Sequence, residues 1–116
     1  MAARLAQVCL FKGDGSALRR FCEVARAPVE VDNGELTSFL MGGAAVAHHP
    51  PAGILGEDDV LVTLEVESPA EVDRMHAQLV RAGLEVDDEP EDTEWGWRVF
   101  YYRAGKHLYF EVGAPR

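Results

Sequence analysis

No run of the chain stays apolar for the roughly 20 residues a helix needs to cross a bilayer. The N-terminal "MAARLAQVCLF" has neither the long apolar centre nor the small-residue cleavage site of a signal peptide. A cytoplasmic location is the expectation. Positive charge is also scarce: 11 Lys and Arg stand against 20 Asp and Glu, a formal net charge of −9. Nucleic acid and anionic membranes both select basic surfaces, so neither is an expected partner, whereas a cationic ligand is attracted. Cysteine is nearly missing. Cys9 and Cys22 match no zinc spacing, and in a reducing compartment two such residues act as small buried hydrophobes rather than as a bridge. At 116 residues the chain is long enough for one domain whose core needs no staple.

What is present is one plan written twice. "RLAQVCLF" suits a strand. "DGSALRRFCEVA" follows with Ala17, Leu18, Phe21, Cys22 and Ala25 on one helical face and Arg19, Arg20 and Glu23 on the other, with Asp14 or Ser16 as cap. Three short strands come next, "APVEVD", "LTSFLM" and "AAVAHH", and "PPAGILGEDD" interrupts as a loop. The second half repeats the order. "DVLVTLEV" alternates, and "SPAEVDRMHAQLVRAG" opens with Ser68 as N-cap, Pro69 at the first helical position and Glu71 closing a capping box, with Gly83 at the C-cap. "LEVDDEP", "WRVFYY" and "LYFEV" then read as three strands. The expectation is an α+β fold of two βαβββ modules, about 1–50 and about 58–113, in a single domain spanning 1–116, with a period of about fifty-five residues.

A sheet covered by helices on one side alternates between a helix-facing and an open face. That logic puts Val60, Val62, Leu64 and Val66 under the helices and Leu61, Thr63 and Glu65 opposite. It puts Leu108, Phe110 and Val112 inward and Tyr109 and Glu111 on the open face, and predicts Val62, Leu64, Leu79, Leu108 and Phe110 among the most buried residues. In "WRVFYY", Phe100 and Tyr102 must oppose Val99 and Tyr101.

With this plan the chain resembles the vicinal oxygen chelate superfamily, which contains glyoxalases, bleomycin-resistance proteins and extradiol dioxygenases. The likeness spans the whole length. It is strongest in "LEVESPAEVDRMHAQLVRAGLEVDDEPEDTEWGWRVFYYRAGKHLYFEV", and "GGAAVAHH" is similar to the family's fourth strand. The resemblance implies paired modules curled around a cleft, commonly completed in a homodimer. It also implies a divalent metal held by histidine or carboxylate from the first and last strands of each module, since such chemistry needs several ligands converging on open coordination positions. Carried onto this chain, those positions fall on Gln7, on Leu61, near His48 or His49, and on Glu111 or Tyr109. Leucine cannot ligate a metal and Gln7 is a weak neutral donor. His48 and His49 are adjacent in a strand, point to opposite faces, and cannot share one ion.

The reading that follows is a metal-free binding protein for a small aromatic, possibly cationic molecule, with no cofactor. Its candidate ligand-binding residues are Gln7, His48, Leu61, Thr63, Trp97, Phe100, Tyr102, Tyr109 and Glu111. Glu111 is the one candidate catalytic residue. It can serve as a base, a metal ligand or a counter-ion, or be a strand glutamate paired with Arg98. Trp95 and Trp97 are either a stacking wall or a core plug. The alternative is a lyase, isomerase or dioxygenase, either dependent on a divalent metal through His48, His49 and Glu111 or metal-free with Glu111 as base.

Overall fold

The computed structural model describes residues 3–86 and 88–116. In chain order the elements are β1 (Arg4–Leu10), α1 (Ser16–Ala25), β2 (Val29–Asp32), β3 (Thr37–Met41), β4 (Ala44–His48), β5 (Val60–Glu65), α2 (Pro69–Arg81), β6 (Glu91–Asp92), β7 (Trp97–Gly105) and β8 (Leu108–Pro115). All eight strands form one sheet in the order β2-β3-β4-β1-β5-β8-β7-β6. The fold is α+β: two βαβββ units joined edge to edge where β1 meets β5 antiparallel, with each unit's first and last strands parallel.

The second helix starts as its sequence demands. Ser68 accepts a hydrogen bond from the Glu71 amide, Pro69 occupies the first turn, and Gly83 at φ +88° follows the helix end. Only half of the expected capping box forms, because the Glu71 carboxylate pairs with Arg74 instead of turning back to Ser68. The first helix departs from expectation. Its N-cap is Gly15, in the left-handed region and without a side-chain cap, while Asp14 Oδ1, one residue earlier, accepts from the Ser16 amide. A Cβ on Gly15 would lie 2.9 Å from the His48 ring, so the close approach and the positive φ both require glycine there.

The cross-strand registers assign every side chain to a face. Phe39, Val46, Val8, Val62, Phe110 and Tyr102 form one row across the sheet. This is the helix side, since Arg19 of α1 lies over the Phe39 ring and His76 of α2 meets Phe100 edge-on in the neighbouring row. Beneath α2, Val66, Val72, Phe100, Val112 and Ala114 make a core, with Met75 and Leu79 packed against it. Cys9, Phe11, Ala47 and Leu61 make a second core on the opposite face.

The faces agree with the alternation in the sequence, but the burial does not. Leu61 and Thr63 are buried, on the open side of the sheet, while Val62, Leu64, Leu79 and Phe110 are only half-buried and Leu108 is exposed. The sheet itself is the cause. Its two wings both line the space over the concave face, whereas α2 packs mainly on β7 and β8 and less on β1 and β5. Helix α1 is correspondingly loose: it buries Cys22 completely, but Phe21 of the expected apolar face stands exposed, as does Val24 beside that face. "LEVDDEP" was expected to form a strand; Leu84–Val86 carries no regular structure, Asp87 lies outside the described residues, and the edge strand is the later pair Glu91–Asp92.

Candidate functional site

The same registers lay a polar line across the concave face. Ala45 of β4, Gln7 of β1, Thr63 of β5, Glu111 of β8 and Tyr101 of β7 are successive cross-strand partners. At its centre Thr63 Oγ1 donates to Glu111 Oε1 and the Tyr101 hydroxyl donates to Glu111 Oε2, each at 2.8 Å. Burial first, and then the Glu111 charge, push the Tyr101 phenol above its ordinary range, so it remains a donor. Burial and the same carboxylate push the Cys9 thiol up to about 11, which keeps it neutral in the next row.

Above this line opens a cavity of about 580 Å³. Gln7, Thr63 and Glu111 form its floor, Trp95 and Trp97 one wall, and Leu36, Leu40 and Val31 contribute apolar surface from the opposite wing. Trp97 reaches across the floor because β8 carries Gly113 beneath it; a Cβ there would meet the indole at 3.0 Å. Trp95 arrives differently. It sits in the turn before β7, where Gly96 takes φ +86°, and is 64% exposed at the mouth. Glu30 and Glu65 also line the cavity, the former accepting from Ser38 and the latter from Arg4.

Four of the nine residues expected to bind a ligand meet at this cavity: Gln7, Thr63, Trp97 and Glu111. The other five do not. Phe100 is 1% exposed and lies under α2, and Tyr102 shares its face, because the pairing of Tyr101 with Glu111 turns the even-numbered rings of β7 toward the helices. Leu61 and Tyr109 are on the concave face but pack into the cluster around Cys9 and Phe11. His48 faces the helix side, where its Nε2–H donates to the Lys12 carbonyl at 3.1 Å and its ring lies against Gly15. His49 meets the edge of Phe11 and approaches Glu35. Arg98 pairs with Asp73 and Asp92 rather than with Glu111. The reading of the sequence missed Tyr101, Glu30 and Arg4. Tyr101 alone carried a signal, its alternation with Phe100.

The register also fixes which residues surround Gln7. Gln7 is opposite Thr63, not Leu61, and Ala45, not a histidine, pairs with Gln7 on the fourth strand. The side chains that converge on the middle of the concave face are therefore those of Gln7, Ala45, Thr63 and Glu111. One carboxylate, already accepting from two hydroxyls, does not fit a divalent ion that needs several anionic or imidazole ligands. Among the described residues no group of three or more His, Cys, Asp or Glu could hold a metal ion.

Neither a family model nor a curated protein matches the sequence. Solved structures do match its fold. A glyoxalase/bleomycin resistance protein/dioxygenase superfamily member from Vibrio splendidus aligns over 99% of this chain and 100% of its own with a TM-score of 0.64 and 13% identity. A structure from Legionella pneumophila described as an NAD-dependent benzaldehyde dehydrogenase gives a TM-score of 0.74 at 13% identity, over 95% of this chain and 98% of that one. A Mn(II)-bound glyoxalase from Novosphingobium aromaticivorans gives 0.61 at 22% identity, covering 97% of this chain and 38% of that one. The chain thus has the paired-module fold of the glyoxalase/bleomycin-resistance/dioxygenase superfamily, the vicinal oxygen chelate fold. The likeness is one of fold, and function has to be argued from the cleft.

Proposed function

We propose that the chain is a metal-independent binding protein of the glyoxalase/bleomycin-resistance type that holds a cationic aromatic molecule in the concave cleft and works as a homodimer. The composition of the cavity carries this reading. Two indoles, Trp95 and Trp97, stand over a floor that ends in Glu111, and Glu30, Glu65 and Glu111 share the space with one cation, Arg4, already paired to Glu65. Aromatic stacking adds about 0.5–1.5 kcal/mol per contact beyond area burial. A cation over an indole adds about 0.5–2 kcal/mol. Together with the burial of a small ligand's apolar surface, such contacts bring affinity into the micromolar range, about −8 kcal/mol.

A second copy of the chain supplies the missing cover on the convex side. Leu5, Phe21 and Val24 are exposed there, and the middle of the sheet is only half-buried. The cleft reading is tested by elemental analysis of untagged protein followed by calorimetric titration with an aromatic cation and a neutral aromatic. The expected result is metal well below one equivalent and preference for the cation. Stoichiometric manganese, zinc, iron or nickel would overturn it.

A further inference from the structure

Every carboxylate in the cleft already has a donor from the protein. Glu111 accepts from Thr63 and Tyr101, Glu30 accepts from Ser38, and Glu65 accepts from Arg4. The Glu111 pair matters most, because it occupies one lone pair on each oxygen at the floor of the cavity, and both donors are fixed by the strands that carry them. Negative charge therefore remains at the floor of the cleft while half of the lone pairs of Glu111 are already taken.

A primary ammonium or a guanidinium loses strong hydration on entering such a site and needs acceptors to replace it. An alkylated ammonium has no N–H to satisfy, carries a diffuse charge, and binds through the faces of aromatic rings and the local field. Trp95 and Trp97 supply those faces beside Glu111.

Resting on the cleft reading given above, we infer that the site selects a quaternary or fully alkylated ammonium group attached to a flat apolar body, and discriminates against primary amines of the same shape. Thr63 and Tyr101 are then specificity determinants: by taking one lone pair of each Glu111 oxygen they compete with a ligand N–H for it.

The test is an equilibrium titration with three probes, benzyltrimethylammonium, benzylamine and benzyl alcohol, followed through the fluorescence of Trp95 and Trp97, the two tryptophans of the chain. Benzyltrimethylammonium should bind about tenfold more tightly than benzylamine, whose N–H groups lose hydration that the cleft only partly replaces. Tyr101→Phe keeps the ring and frees one Glu111 oxygen, so in this variant the ratio should shrink several-fold through tighter benzylamine binding. Circular dichroism and the melting transition establish that the variant is folded, and Thr63→Val provides the same release from the other oxygen. Benzylamine binding as tightly as the quaternary ion to the unaltered protein, or an unchanged ratio in both folded variants, would overturn the inference while leaving the cleft reading in place. If neither cation binds better than benzyl alcohol, the cleft reading itself fails.

Discussion

Glu111 organises the concave face, and the groups around it respond to its charge. Cys9 and Tyr101 are both held neutral in the folded protein, by burial first and then by Glu111. Each ionises more readily once unfolded, so the stability they contribute is complete below the ordinary thiol and phenol values and is lost as pH rises. For Cys9 the loss runs from 9.0 to about 11, and for Tyr101 it begins near 10.0. The melting temperature should therefore fall between pH 8 and pH 11, and fall less steeply in a Cys9→Ala/Tyr101→Phe double variant even if that variant starts lower; parallel slopes would contradict the assignment. At this scale the sequence showed the site in part. Alternation in "LYFEV" and "DVLVTLEV" is enough to put Glu111 and Thr63 on one open face. Alternation in "WRVFYY" separates two sets of rings but does not say which set faces the cleft, and only the pairing of Tyr101 with Glu111 decides it. The side taken by His48 was not legible for a related reason, because its neighbour Gly15 lies outside any periodic stretch.

Among the elements, the two helices are formally equivalent, but their glycines sit at different ends and in different surroundings, Gly15 at the start of α1 against His48 and Gly83 after the end of α2 in open space. Gly15 and Gly83 both hold positive φ, at +79° and +88°. A Cβ on Gly83 meets nothing within 4 Å, so Gly83→Ala should cost only the left-handed penalty, about 1–2 kcal/mol. Gly15→Ala adds a collision with the His48 ring and should cost about 2–4 kcal/mol. Chemical denaturation of the two variants measures the difference, and equal losses would mean that the packing of His48 under α1 is wrong. The cap of α2 was legible because Ser68, Pro69 and Glu71 act within one turn, and its N-cap and proline are where local chemistry puts them. The burial of Val62 and Leu64 was not legible. It depends on where the helices come to rest against the sheet and on how strongly the sheet curls, and neither is written in a strand of six residues.

The whole molecule measures 44 × 27 × 24 Å and exposes 7158 Å². A compact monomer of its mass would expose roughly 6300 Å². The excess, roughly 900 Å², is close to what one partner buries in a stable interface. On the convex side Leu5, Phe21 and Val24 are exposed and the middle strands are only half-buried. Light scattering at micromolar concentration should therefore give twice the mass of 12.8 kDa, and Val24→Glu on α1, 70% exposed in one chain, should return it to the monomer mass. A monomer mass for the unaltered protein would remove the dimer from the account. Such a dimer would leave the concave face open, so the central claim concerns what that face holds without a metal. The direct test is a fluorescence titration of chelator-treated protein with benzyltrimethylammonium, run in parallel on Glu111→Gln. The account predicts a saturable change with micromolar affinity in the unaltered protein and a loss of about tenfold in the variant, the worth of one charge partner at a partly buried site. Saturable binding that appears only when manganese or zinc is added, or that is indifferent to Glu111→Gln, would contradict it.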